Sequence, residues 1–294
     1  MSVPRATSSA EYGGASATAI QQHYDVSNEF YALWLDPTLT YSCALWDGLG
    51  DDLYAAQLRK LDYLAEAARV NGGRVLDVGC GWGGLAARVL NHHGATHVTG
   101  LTLSAAQAEY MRARTDERCT VVVQNWADHQ PNQQYDAIVS VGAFEHFADF
   151  GLTRPKRVEA YRAFFERCAD WLPTGGRLAL QTITKGSNIQ LDRQTTRDLL
   201  FVIDRIFTES ELPWPSEILE ASERRFEVLS SVNHAEHYTR TCGVWLANLL
   251  AHRQQAVELV GESMVADYVR YLEICCYVFE RRHVGLQRLL FHRV

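Results

Sequence analysis

Val75-Leu76-Asp77-Val78-Gly79-Cys80-Gly81-Trp82-Gly83-Gly84 decides the reading of this chain. A short apolar strand runs straight into a cluster of glycines, and a helical pattern over 85–92 follows. Glycines at such a junction allow a tight turn and let a ligand approach the backbone at the N-terminus of the next helix. On spacing alone, Gly79, Gly81 and Gly84 would also suit a dinucleotide, so the turn by itself does not name its ligand.

Outward from this turn, strands are predicted at 74–78, 97–102, 120–124, 135–140 and 177–184, with helices at 53–70, 85–92, 105–114 and 158–172. That alternation predicts an α/β, Rossmann-like fold, a parallel-type sheet flanked by helices on both faces. Farther on, 185–214 reads as a looser segment and 226–232 as strand-like. Helices are predicted at 241–260 and 263–282, and Leu289-Leu290-Phe291 reads as an edge strand. No internal repeat or linker appears, so residues 19–294 read as a single domain, with 19–70 as an N-terminal helical cover and 185–225 as a helical lid insertion. Residues 1–18, rich in Ser, Ala and Gly, read as a mobile tail.

The end of the second strand separates the candidate ligands. A nicotinamide enzyme places Asp or Glu there for a ribose hydroxyl; this chain has Thr102-Leu103-Ser104. Asp77 inside the first strand suits a methyltransferase better, supporting the turn and the amino group of S-adenosylmethionine. Composition narrows the partners. A net charge of −7 without a Lys/Arg cluster argues against nucleic acid. No apolar run reaches the roughly 18 residues of a membrane span. Seven scattered cysteines, an odd number without C-x-x-C spacing, fit a reducing cytoplasm. Neither His92-His93 nor His234 with His237 forms a metal set, so no metal is expected.

Several further segments join this turn in one pattern. They are His23-Tyr24-Asp25-Val26-Ser27-Asn28-Glu29-Phe30-Tyr31, Asp36-Pro37, Thr40-Tyr41-Ser42-Cys43-Ala44, Gly100-Leu101-Thr102-Leu103-Ser104 with Gln107, and Val141-Gly142-Ala143-Phe144-Glu145-His146-Phe147. Gln181-Thr182-Ile183-Thr184, His237-Tyr238 and Phe279-Glu280-Arg281 complete it. In this order the set resembles the cyclopropane fatty acid and mycolic acid synthase family, class I enzymes that use S-adenosylmethionine to methylate alkenes in lipids. The same pattern embraces alkaloid N-methyltransferases and natural-product C-methyltransferases, so it speaks to chemistry more than to substrate.

The resemblance implies that Tyr41, Ser42, Gly79, Gly81, Thr102, Leu103, Gln107 and Trp126 surround the cofactor, with Trp126 against adenine. Ala127 stands where the family often has an acid, with Asp128 next to it. His23 is expected to hold the N-terminal segment over the cofactor. Alkene-methylating members hold a bicarbonate ion, whose surroundings correspond to Cys43, the backbone carbonyl of Val141, Glu145 and Tyr238. A histidine of that set corresponds to Gln181, the main departure from the pattern. Glutamine can hydrogen-bond an anion, but it cannot carry a proton near neutral pH. The expected reaction is methyl transfer to a carbon of a small amphipathic substrate. Glu145, with Tyr238 and either a bound anion or His146, would stabilise positive charge or remove a proton. Phe201, Ile203, Ile206, Phe207, Leu212 and Trp214 would offer the lid's apolar surface. The alternatives are cyclopropanation of an unsaturated acyl chain, N-methylation of an amine, and a cofactor-binding module without turnover. Oligomeric state is not legible in the sequence.

Overall fold

The computed structural model describes Gly14, Ser16 and residues 27–294. The tail expected over 1–18 lies outside them apart from Gly14 and Ser16, and so do His23, Tyr24, Asp25 and Val26 of the N-terminal cover.

Arg74–Val78 (β1), His97–Thr102 (β2), Cys119–Val123 (β3), Ala137–Val141 (β4), Arg177–Lys185 (β5), Phe226–Asn233 (β6) and Val284–Arg293 (β7) form one sheet. Its order is β3-β2-β1-β4-β5-β7-β6. The first five strands run parallel. Val75 to Val78 are all buried, as expected for a parallel strand covered on both faces. The helices Gly84–His92 (α3), Ala105–Arg112 (α4) and Arg154–Trp171 (α5) recross the sheet between strands. Since β2 and β3 build to one side of β1, and β4 and β5 to the other, the strand order reverses between β1 and β4. Ligand crevices lie outside the carboxyl ends of strands at such a reversal. The glycine turn occupies that position.

Three departures from the sequence reading have physical reasons. The sheet is mixed, because β7 runs antiparallel to both β5 and β6. It is an interior strand, and β6 is the edge. Gln287 and Arg288 give β7 a solvent-facing look, yet both are buried, with Arg288 Nε donating to Gln181 Oε1 at 2.7 Å. The segment 185–214 contains the helix Arg193–Arg205 (α6), capped by Asp192 accepting from the Thr195 amide at 2.7 Å. Finally, the helix expected over 241–260 is two, Ala235–Ala251 (α8) and Arg253–Val260 (α9), parted at His252. There the His252 Nδ1 and amide both approach the Asn248 carbonyl. The helix expected over 263–282 is Glu262–Glu280 (α10). Pro215–Ser222 (α7) precedes β6.

The cover is bolted to the glycine turn. Asn28–Ala32 (α1) is capped by Ser27, whose Oγ accepts from the Phe30 amide at 3.1 Å. Asn28 Oδ1 accepts from Trp82 Nε1 at 2.7 Å, tying α1 to the turn. Phe30, Tyr31 and Trp34 pack edge-on or tilted against Tyr268 of α10, and the Tyr31 and Tyr268 hydroxyls lie 2.8 Å apart. Such pairs add about 0.5–1.5 kcal/mol each beyond burial. Leu53–Ala67 (α2) then leads back to β1.

Candidate active site

Two cavities meet just beyond the carboxyl end of β4. The first is built on the glycine turn. Gly79 and Gly81 have φ of +83° and +54°, values that favour glycine. A Cβ on Gly79 would collide with Ala143 Cβ, whereas one on Gly81 would meet nothing within 4 Å. Tyr41, Ser42, Asp77, Gly79, Gly81, Thr102, Leu103, Gln107, Trp126 and Val141 all line this cavity.

Local contacts explain how they get there. The buried carboxylate of Asp36 accepts from the Thr38 and Thr40 amides at 2.9 and 3.0 Å, shaping the loop that delivers Tyr41 and Ser42. Gln57 of α2 fastens that loop by donating to the carbonyls of Thr40 and Ser42. Ser104 caps α4 through the Gln107 amide at 3.1 Å, and Thr102 Oγ1 donates to Gln107 Oε1 at 2.8 Å. Trp126 is packed against Phe147 and Phe164, with centroids 5.0 and 5.2 Å away. Gln124 and Asn125 line the cavity beside it; Ala127 and Asp128 do not. Asp77 Oδ2 is buried without a hydrogen-bond partner among the described residues. Burial raises this carboxyl to about 7, opposed by the charge of Lys60. An orphaned acid beside open glycine backbone fits a ligand carrying an amino group.

The second cavity, of about 550 Å³, lies between β5 and helices α6, α8 and α10. Its wall is mainly apolar, with Ile183, Leu199, Val202, Ile203, Phe207, Leu212, Trp214, Ile274, Val278 and Phe279. Of the residues expected from the lid, Phe201 and Ile206 are elsewhere: Arg270 lies over the Phe201 ring at 4.0 Å, and Ile206 is in the core. Tyr41, Gly142 and His146 line both cavities and form the junction. Tyr41 is held by α10, donating to the Tyr271 hydroxyl at 3.1 Å.

Glu145 lines the second cavity, next in the chain to His146 of this junction, on the 3₁₀ turn Phe144–His146. Its Oε1 accepts from the Ile183 amide at 2.6 Å, while its buried Oε2 has no hydrogen-bond partner among the described residues. Burial raises its carboxyl to about 7, against the pull of the Ile183 amide, its own amide and the Thr182 hydroxyl. His146 pairs through Nδ1 with Ser210 Oγ at 2.8 Å, and burial lowers it to about 4, so it is neutral at physiological pH. Tyr238 lines the second cavity and stacks on Phe279 at 4.4 Å. Burial drives its hydroxyl far above the usual phenol range.

Cys43 and Gln181, expected beside these groups, line neither cavity. Both belong to a buried cluster behind the wall, centred on Arg288. The Arg288 guanidinium donates to Gln181 Oε1 at 2.7 Å, to His234 Nδ1 at 2.7 Å, and to the carbonyls of Cys43 and Ala44 at 3.2 and 3.0 Å. Gln181 Nε2 donates to the Cys43 carbonyl at 3.4 Å. The Gln181 amide is thus engaged at both ends. Burial pushes the Cys43 thiol up to about 11. Sequence reasoning missed Arg288, and also Lys60, a fully buried lysine lining the first cavity. Charged residues in a strand and in an amphipathic helix read as solvent-facing, and nothing local marks these two otherwise.

Sheet order, glycine turn and orphaned acid together define a Rossmann-like, class I S-adenosylmethionine-dependent methyltransferase. The model of the mycolic acid cyclopropane synthetase family matches residues 14–289. Cyclopropane mycolic acid synthase 2 of Mycobacterium leprae is 36% identical, over 91% of this chain and 91% of its own. The S-adenosylmethionine-dependent methyltransferase UmaA of Mycobacterium tuberculosis is 34% identical, over 89% and 92%. The structure of mycolic acid cyclopropane synthase CmaA1 complexed with SAH and CTAB superimposes with a TM-score of 0.86 at 31% identity, covering 95% of this chain and 99% of that one. The chain belongs to the mycolic acid cyclopropane synthetase family and is an S-adenosylmethionine-dependent enzyme.

Proposed function

We propose that this enzyme transfers a methyl group to an unsaturated carbon of an amphipathic substrate with a long apolar part, and that the product keeps the methyl group without closing a ring. One observation carries the reading: a large apolar cavity meets the cofactor cavity at Tyr41, Gly142 and His146, and its wall includes Glu145, whose buried Oε2 lacks a hydrogen-bond partner among the described residues. When bound, S-adenosylmethionine supplies a methyl group on a positively charged sulfur that leaves as a neutral thioether. Every other task falls to the chain. The apolar wall holds the substrate and excludes water, which strengthens charge interactions inside. Tyr41 and Gly142 frame the opening through which the two reactants face each other, so much of the rate arises from positioning. As the new carbon–carbon bond forms, the neighbouring substrate carbon becomes cationic. A C–H bond beside it must then break, its electrons restoring a double bond and its proton passing to a base. Glu145 Oε2 takes that proton, since Gln181 is a neutral amide held by Arg288 and His146 lies deeper in its neutral range.

Ring closure is the second reading, favoured by relatives named cyclopropane synthases. It differs only in which proton leaves, one from the incoming methyl group, so both products have the same mass. The test is incubation with methyl-labelled cofactor and a panel of unsaturated acyl chains, prenyl compounds, phenols and amines, followed by proton NMR of the product. A methyl signal on carbon supports the proposal; an upfield ring-methylene signal establishes cyclopropanation, and an N-methyl signal overturns both.

A further inference from the structure

Lys60 is fully buried on α2, one turn from Gln57, and lines the cofactor cavity. Its Nζ donates to Ser42 Oγ at 2.9 Å, its one hydrogen bond among the described residues. An ammonium has three donors, and burying one without a counter-anion is expensive. A serine hydroxyl neutralises nothing. On the same cavity wall, Asp77 leaves Oδ2 without a partner. The two form a complementary set on one cavity wall: a cation with donors to spare and an acid with an oxygen to spare. Burial, with the nearby Arg288 charge, brings the Lys60 ammonium down to about 7, and the acids around it offset this only in part. A zwitterionic amino acid end would satisfy both groups at once.

We infer that Lys60 binds the α-carboxylate of the cofactor's amino acid end, across from the ammonium group already expected at Asp77. The inference rests on the S-adenosylmethionine assignment. It fixes which way that end lies: carboxylate toward α2 and the Tyr41-Ser42 loop, ammonium toward β1. The competing role for Lys60 is a mere pin on Ser42. A pin would affect every ligand of the cavity alike, whereas a carboxylate receptor affects only ligands that carry one.

The test is calorimetry with three nucleosides on the full chain. S-adenosylhomocysteine has both charged groups, S-adenosyl-3-thiopropylamine keeps the amine but lacks the carboxylate, and 5′-methylthioadenosine has neither. The wild type should prefer S-adenosylhomocysteine over the decarboxylated ligand by about 30- to 100-fold, the range for a buried charge-assisted contact. Lys60→Met should reduce this preference to within about threefold and leave 5′-methylthioadenosine binding little changed. Lys60→Arg, which keeps the charge, should retain most of it. An unchanged preference in Lys60→Met, or equal weakening of all three ligands, overturns the inference. If neither variant folds, the wild-type preference decides, and equal wild-type binding of the first two ligands overturns it. A wild type that binds none of the three defeats the cofactor assignment itself.

Discussion

Replacing Glu145 by glutamine should slow the enzyme and stabilise it, and the second effect should depend on pH. The glutamine carbonyl can still accept from the Ile183 amide, so the 3₁₀ turn Phe144–His146 keeps its anchor. What is lost is a carboxylate whose Oε2 has no partner and whose burial raises it from 4.5 to about 7. Its folded pKa lies above its unfolded value. As pH rises from about 4.5, the unfolded chain gives up this proton while the folded one keeps it, so the wild type loses stability until about pH 7 and no more above that. The shift corresponds to about 3 kcal/mol once fully developed. Urea unfolding should therefore show Glu145→Gln ahead of the wild type by little at about pH 5 and by up to about 3 kcal/mol at about pH 8.5. Asp77 carries a similar burden, but both proteins share it and it cancels. Turnover should fall about a hundredfold or more, within the range for a lost general base, with S-adenosylhomocysteine affinity nearly unchanged. Wild-type turnover should rise with pH up to about 7 and then level. A variant with normal turnover would move the proton acceptor to His146, and a stability gap independent of pH would refute the claim that Glu145 is buried at a cost.

Calorimetry should detect S-adenosylhomocysteine binding at micromolar or better affinity and no binding of NAD, because Thr102 stands where a nicotinamide enzyme has its ribose acid; the reverse result would overturn the cofactor assignment. Gln181→His should not raise turnover on the substrate found by the panel, since Gln181 serves Arg288 and the Cys43 carbonyl and does not line the cavity. A kinetic gain would mean that the wall behind Glu145 still takes part in proton transfer. Arg288→Met should cost about 3 kcal/mol or more in urea unfolding, because it strands Gln181, His234 and two carbonyls in the interior. A loss below about 1 kcal/mol would show that water replaces the guanidinium there.

The legible parts of this protein are those whose signal is local. The strand at 74–78, the glycine turn after it and the strand at 97–102 stand where their apolar runs and glycines put them, while Tyr41, Ser42, Gln107 and Trp126 are assigned to the first cavity's wall by the family resemblance, not by their local sequence. What escaped the sequence depends on distant partners. Arg288 reads as a surface residue until β5 brings Gln181 beside it, and β7 reads as an edge until β6 pairs with its far side. The first half of α6, Arg193 to Asp198, is so polar that its helical period is masked; only the Asp192 cap and the apolar face at Leu199, Val202 and Ile203 betray it. Cys43 and Gln181 share the neighbourhood of Glu145 in the chain's pattern but face the other side of the wall in space.

Tyr41 is a wall of both cavities and is tethered through its hydroxyl to Tyr271 of α10. The two occupants therefore report to each other thermodynamically. An apolar ligand that shifts this ring alters cofactor affinity by some factor, and by linkage the cofactor alters affinity for that ligand by the same factor. Tyr271→Phe removes this hydroxyl contact while keeping the ring on the second cavity's wall, so it should weaken that coupling, read as the change in S-adenosylhomocysteine affinity when the apolar cavity is filled.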